Sequence, residues 1–149
     1  MPTIRRLAST DAADFRLIRL AALQNAPEAF GSTYEAEAAF PDDVFAAWLE
    51  SGMVFGAWAG QRIVGMAGFR QEAGQKTSHK GFLWGMYVSP DARGQGVGAA
   101  LITLLLETTA PLVEQVRLSV VTSNTTAIAL YERLGFRAYG IEPRALKSA

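Results

Sequence analysis

The chain has 149 residues, half of them apolar, with 14 Lys plus Arg against 14 Asp plus Glu and no cysteine. That length supports one domain, residues 1–149, around one core, and the balanced charge without a long basic run argues against nucleic acid as a partner. The lack of cysteine removes disulfides, thiolate nucleophiles and sulfur metal sites; with neither a signal pattern nor a long apolar span, the expectation is a soluble, cytoplasmic protein with no membrane partner.

Thr3 to Leu7 suits a short first strand, and Ser9-Thr10-Asp11 offers capping oxygens to a helix from Ala12 to Gln24 whose inner face is Phe15, Ile18 and Ala22. Asn25-Ala26-Pro27 stops it. Ala29 to Phe40 is less regular. Pro41-Asp42-Asp43 then starts a helix with proline at its first position and acids in its first turn; Val44, Phe45, Trp48 and Leu49 form one face, and Gly52 suits the C′ position. Met53 to Ala59 and Arg62 to Gln71 read as strands joined by Gly60-Gln61, a two-residue connection suited to a II′ hairpin. Glu72 to Lys80 is a polar loop.

Gly81 to Val88 is uncharged, rich in aromatic and β-branched residues and closed by Ser89-Pro90, as a buried central strand should be. After it come Arg93-Gly94-Gln95-Gly96-Val97-Gly98 and an apolar helix, Ala99 to Leu106, on whose face Val97, Leu101, Leu104 and Leu105 recur at helical spacing. Gln115 to Thr122 alternates as a strand, parallel to the central one because a helix separates them. Asn124 can cap a last helix whose shared face is Ala127, Leu130, Tyr131 and Leu134; Gly135 ends it, and Phe136 to Ile141 is expected as the final strand. The fold class is therefore α/β, a central mixed sheet flanked by helices on both faces.

The glycine loop between strand and helix has a physical use. The first turn of a helix leaves backbone N–H groups without partners at the positive end of the helix dipole, and glycines let that backbone approach a phosphate. A dinucleotide fingerprint is formally met by Gly94, Gly96 and Ala99, with Glu114 as the ribose acid, but Ser89 to Arg93 separate the strand from the first glycine and no further run of βα units follows. A Walker loop is absent, since no GK[ST] follows.

Tyr87-Val88-Ser89-Pro90-Asp91-Ala92-Arg93-Gly94-Gln95-Gly96-Val97-Gly98 resembles motif A of the GNAT acetyltransferases, whose core Q/R-x-x-G-x-G/A is met by Arg93, Gly96 and Gly98. Asn124 and Tyr131-Glu132-Arg133-Leu134-Gly135-Phe136 resemble the second signature of the same family. The resemblance implies a GNAT fold in which the central strand and the one after the motif helix splay into a slot for acetyl-CoA. Backbone groups of Met86, Tyr87 and Val88 would pair with the pantetheine arm. The N–H groups of Arg93, Gly94, Gln95, Gly96, Val97, Gly98 and Ala99 would hold the pyrophosphate, with Arg93 and Arg133 as phosphate neighbours and Asn124 bonded to a pantetheine amide. It also puts Tyr131 near the sulfur as proton donor. The partners implied are acetyl-CoA and an amine, by direct attack in a ternary complex; a homodimer is compatible with this, and a non-catalytic acyl-CoA sensor is the alternative.

The proton acceptor for the amine is not on the central strand, which offers Trp84 and Met86 where a glutamate is common in the family. Glu35 is the first choice, expected to be partly buried among Phe30, Tyr34 and Trp48, and Glu72 or water comes second. His79, the single histidine, sits in a polar loop, and no metal is expected.

Overall fold

The computed structural model describes residues 2–147. The sheet begins with β1 (Thr3–Arg6), β2 (Met53–Ala59) and β3 (Arg62–Gln71) and continues through β4 (Lys80–Val88) to β5 (Gln115–Arg117), in that spatial order. The first four are antiparallel neighbours, and β4 and β5 are parallel. Gly60 turns the β2–β3 hairpin with φ 63°, and Ala59 pairs directly with Arg62 across it. Ile63 to Phe69 are all buried, which is why β3 is a continuous apolar run: both of its faces are covered by helices.

On one face lie α1 (Ala12–Asn25), α2 (Tyr34–Ala38) and α3 (Asp42–Ser51). Phe15, Ile18, Phe45 and Leu49 there close over Trp58, Met66 and Tyr87. On the other face are α4 (Val97–Thr109) and α5 (Thr125–Arg133), whose Val97, Leu101, Leu105 and Tyr131 pack on Phe55, Val64 and Leu83. Short 3-10 turns at Ser9–Asp11, Pro27–Ala29 and Pro90–Ala92 link these elements.

Several local expectations change. Pro41 is the N-cap of α3 and Asp42 its first residue, while Gly52 is extended, with φ −131°, so no left-handed cap is needed there. β5 forms a ladder over three residues instead of eight. Beyond it Leu118 and Val120 still pack on the core. Alternation reports which side chains are buried; it does not report whether a neighbouring backbone is there to bond. The strand expected at Phe136 to Ile141 is not formed: Phe136 packs on Tyr131, but Tyr139 is 81% and Ile141 76% exposed.

One irregularity matters for the site. Gly68 faces Trp84 and Met66 faces Tyr87, so β4 carries one residue more than β3 over that stretch. The bulge falls at Gly85, which takes φ 65°.

Candidate active site

β4 has nine residues but pairs with β5 only over Lys80, Gly81 and Phe82. From Leu83 to Val88 that edge of the strand has no partner strand among the described residues. The splay expected between the two parallel strands is therefore present, and it runs toward the glycine loop.

The loop is held at its start. The Ser89 N–H donates to the Val64 carbonyl at 2.8 Å, and Ala92 is buried. The Arg93 Nε donates to the Val88 carbonyl at 3.0 Å and its guanidinium lies over the Tyr87 ring, so this arginine turns back and pins the loop to the end of β4. The glycines then serve two different needs. Gly94 and Gly96 have φ 78° and 79° with open space where a Cβ would stand, so they supply conformation. Gly98 supplies room: a Cβ there would come within 3.0 Å of Met86 and 3.2 Å of Leu130.

Gly96 is the N-cap of α4, and the first N–H of this region bonded to a carbonyl is Ala100, to Gly96 at 3.0 Å. The N–H groups of Gly94, Gln95, Gly96, Val97, Gly98 and Ala99 have no protein acceptor among the described residues. No acid stands in the first turn of α4. Six donors left unpaired at the positive end of a 13-residue helix are an arrangement that favours negative charge.

α5 lies on the same side of the sheet as α4, with Leu130 close to Gly98. Asn124 caps it, its Oδ1 accepting from the Ala127 N–H at 3.2 Å. Tyr131 is 8% exposed on the inner face of α5, its ring edge-on to Phe136, and burial pushes its hydroxyl pKa up to about 12. Its hydroxyl has no partner among the described residues. Arg133 is exposed in the last turn of α5, where a cation suits the helix dipole. Met86 packs on the α4 and α5 side, whereas Tyr87 faces α1 and accepts from Asn25 Nδ2 at 3.2 Å.

The carboxylates fall differently from expectation. Glu35 is exposed on α2 and not partly buried, because the short helix turns its other acid inward. Glu37 is 3% exposed, and its two oxygens accept from Arg19 Nε and Nη2 at 2.9 and 3.0 Å. Nothing local in the sequence marks this pair: the partners are 18 residues apart and meet only because α2 packs on α1. Glu72 accepts from Arg117 at 2.8 Å, at the paired end of β4. Of the aromatic residues expected around Glu35, Trp48 packs edge-on with Phe15, Phe40 and Phe45 in the core, and Phe30, together with Trp84 of β4, lies against the Arg19 guanidinium. His79 is half-buried, and its carbonyl accepts from Glu114 and Gln115.

Known proteins share this fold. The acetyltransferase of GNAT family from Streptococcus pneumoniae superposes with a TM-score of 0.86 at 18% identity, over 99% of this chain and 91% of that one. An aminoglycoside acetyltransferase from an uncultured soil metagenomic sample gives 0.81 at 21% identity over 99% of both chains. Salmonella typhimurium yncA, solved with its cofactor acetyl-CoA, gives 0.84 at 20%, over 99% of this chain and 86% of that one. In sequence, a mycothiol acetyltransferase from Geodermatophilus obscurus is 32% identical over 98 residues, which are 64% of this chain and 32% of that protein; the chain thus matches about a third of its relative's length. The model of the acetyltransferase (GNAT) family matches residues 19–136, from the second half of α1 through the bulged β4 and the glycine loop to Tyr131, and the chain therefore belongs to the GNAT acetyltransferase family.

Proposed function

We propose that the protein moves the acetyl group of acetyl-CoA onto a primary amine, of a small molecule or a peptide N-terminus, by direct attack in a ternary complex. The observation that carries this reading is the continuity of the open β4 edge with the unpaired N–H groups of Gly94 to Ala99. A pantetheine arm has amides to pair with such an edge, and a pyrophosphate has the charge to suit such a helix start. In this reading Met86, Tyr87 and Val88 meet the arm, Asn124 bonds one of its amides, Arg133 flanks the phosphates, and Arg93, turned back onto Val88 and with its own N–H on the Pro90 carbonyl, shapes the loop that receives them in place of the direct contact expected of it.

The amine nitrogen attacks the thioester carbonyl carbon, the tetrahedral oxyanion collapses, and the C–S bond breaks to release thiolate. Tyr131 stands at the sulfur. With its pKa pushed up to about 12 it keeps its proton at neutral pH. A thiol titrates near about 8.5, so full transfer from Tyr131 to thiolate is uphill; the hydroxyl instead donates a hydrogen bond to the departing sulfur. The proton released by the amine passes through water to Glu35, on the exposed side of α2. A cysteine-free chain fits a reducing cytoplasm, and the outer edge of β5, without a partner strand among the described residues, is compatible with a homodimer.

Thiol release from acetyl-CoA by the purified protein, read against a panel of amines with products identified by mass spectrometry, tests the reading. β4 carries no carboxylate, which favours one other reading, an acyl-CoA sensor. Tight acetyl-CoA binding with no thiol release for any amine would select the sensor.

A further inference from the structure

Arg19 is held so that one edge of its guanidinium stays free. Nε and Nη2 are taken by the Glu37 carboxylate, and the two side chains are only 12% and 4% exposed. The Phe30 ring lies 5.3 Å and the Trp84 ring 5.8 Å from the guanidinium carbon. Nη1 has no acceptor among the described residues and lies 3.3 Å from where a Cβ on Gly85 would stand. Gly85 is the bulged residue of β4, beyond Phe82, the last residue paired with β5. The free edge thus opens onto β4 where the slot begins.

Such an arginine is ordered before any ligand arrives. A bidentate carboxylate fixes its plane, the rings limit its hydration, and an N–H donor left without an acceptor there favours a charged oxygen over water. Glu37 also balances the charge, so the site does not repel an amine as a lone buried cation would. A molecule carrying both an amine and a carboxylate suits that combination. We propose that Arg19 binds, through Nη1, a carboxylate one or two carbons from the acceptor amine, with Glu37 as the residue that positions it. The acceptor is then amino-acid-like. This rests on the acetyl-transfer reading above.

The test is calorimetric binding of matched pairs to the CoA-saturated protein: phenylalanine and phenethylamine, leucine and isopentylamine, lysine and cadaverine. At least one amino acid should bind about tenfold or more tightly than its decarboxylated match. Arg19→Lys should bring that pair to near equality. A merely structural Arg19 would weaken both members alike and lower the melting temperature with the ratio kept. Should Arg19→Lys not fold, Glu37→Gln, which keeps the shape but loosens the guanidinium, should shrink the same ratio. Equal binding within every pair, preference for the decarboxylated member, or a ratio that survives both variants would overturn the proposal. Thiol release is measured separately, so a protein that discriminates carboxylates but never releases thiol would fail the transferase reading, and with it the acceptor role, while keeping Arg19 as a carboxylate site.

Discussion

The terminal methyl of Met86 lies 3.0 Å from the point where a Cβ on Gly98 would stand, so β4 and the first turn of α4 approach as closely as a missing side chain allows. Gly98→Val should therefore destabilise the fold by about 2 kcal/mol through overpacking. Gly96 differs, having open space and φ 79°. Gly96→Asn, which tolerates that backbone, should cost little stability and weaken acetyl-CoA binding about tenfold by obstructing the N–H groups of the loop. Chemical denaturation and calorimetric titration measure the two effects, and unchanged affinity in Gly96→Asn would remove the loop from the binding site.

Tyr131→Phe should lower kcat by about tenfold to a hundredfold and leave acetyl-CoA affinity nearly intact, because the hydrogen bond to sulfur strengthens only as negative charge develops. A wild-type kcat at saturating amine would reduce Tyr131 to a packing residue.

The same tyrosine makes a stability prediction. Burial raises its pKa to about 12, above the ordinary value near 10, so on raising pH the unfolded chain loses the phenolic proton first. Tyr131 thus contributes stability that is full below pH about 10 and declines through about 12, by roughly 2 kcal/mol in all. The difference in unfolding free energy between wild type and Tyr131→Phe should shift toward the mutant by that amount across the window. Parallel curves would show that the hydroxyl is not desolvated.

Glu35→Gln should lower kcat/KM at neutral pH only about threefold, since water can replace an exposed carboxylate, and the loss should vanish as pH approaches the amine pKa of about 10. Rate profiles against pH for both proteins decide it. A loss that persists above that pH would assign Glu35 a role other than accepting the proton.

Breaking the Arg19–Glu37 pair from one side should be costly. Glu37→Ala leaves a guanidinium that is 12% exposed without its counter-ion, for a loss of about 3 kcal/mol, and adding Arg19→Met should recover part of it. A double-mutant cycle by urea unfolding measures the coupling, which additivity of the two changes would set to zero.

What the sequence determined by itself is whatever neighbouring residues decide. β2 and β3 run over the expected residues because a glycine turn between two apolar strands fixes the hairpin register locally. Asn124 caps α5, and the glycine cluster makes a helix start with free N–H groups, for the same reason: capping and φ preference act within a few residues. Only the tertiary structure decided the rest. Where β5 leaves β4 depends on a partner strand far along the chain, so alternation through Val120 could not show that pairing stops at Arg117. The bulge at Gly85 exists only relative to β3. In a five-residue helix two acids two positions apart compete for the inside, and the packing of α2 on α1, with Arg19 waiting there, turned Glu37 inward and left Glu35 in solvent.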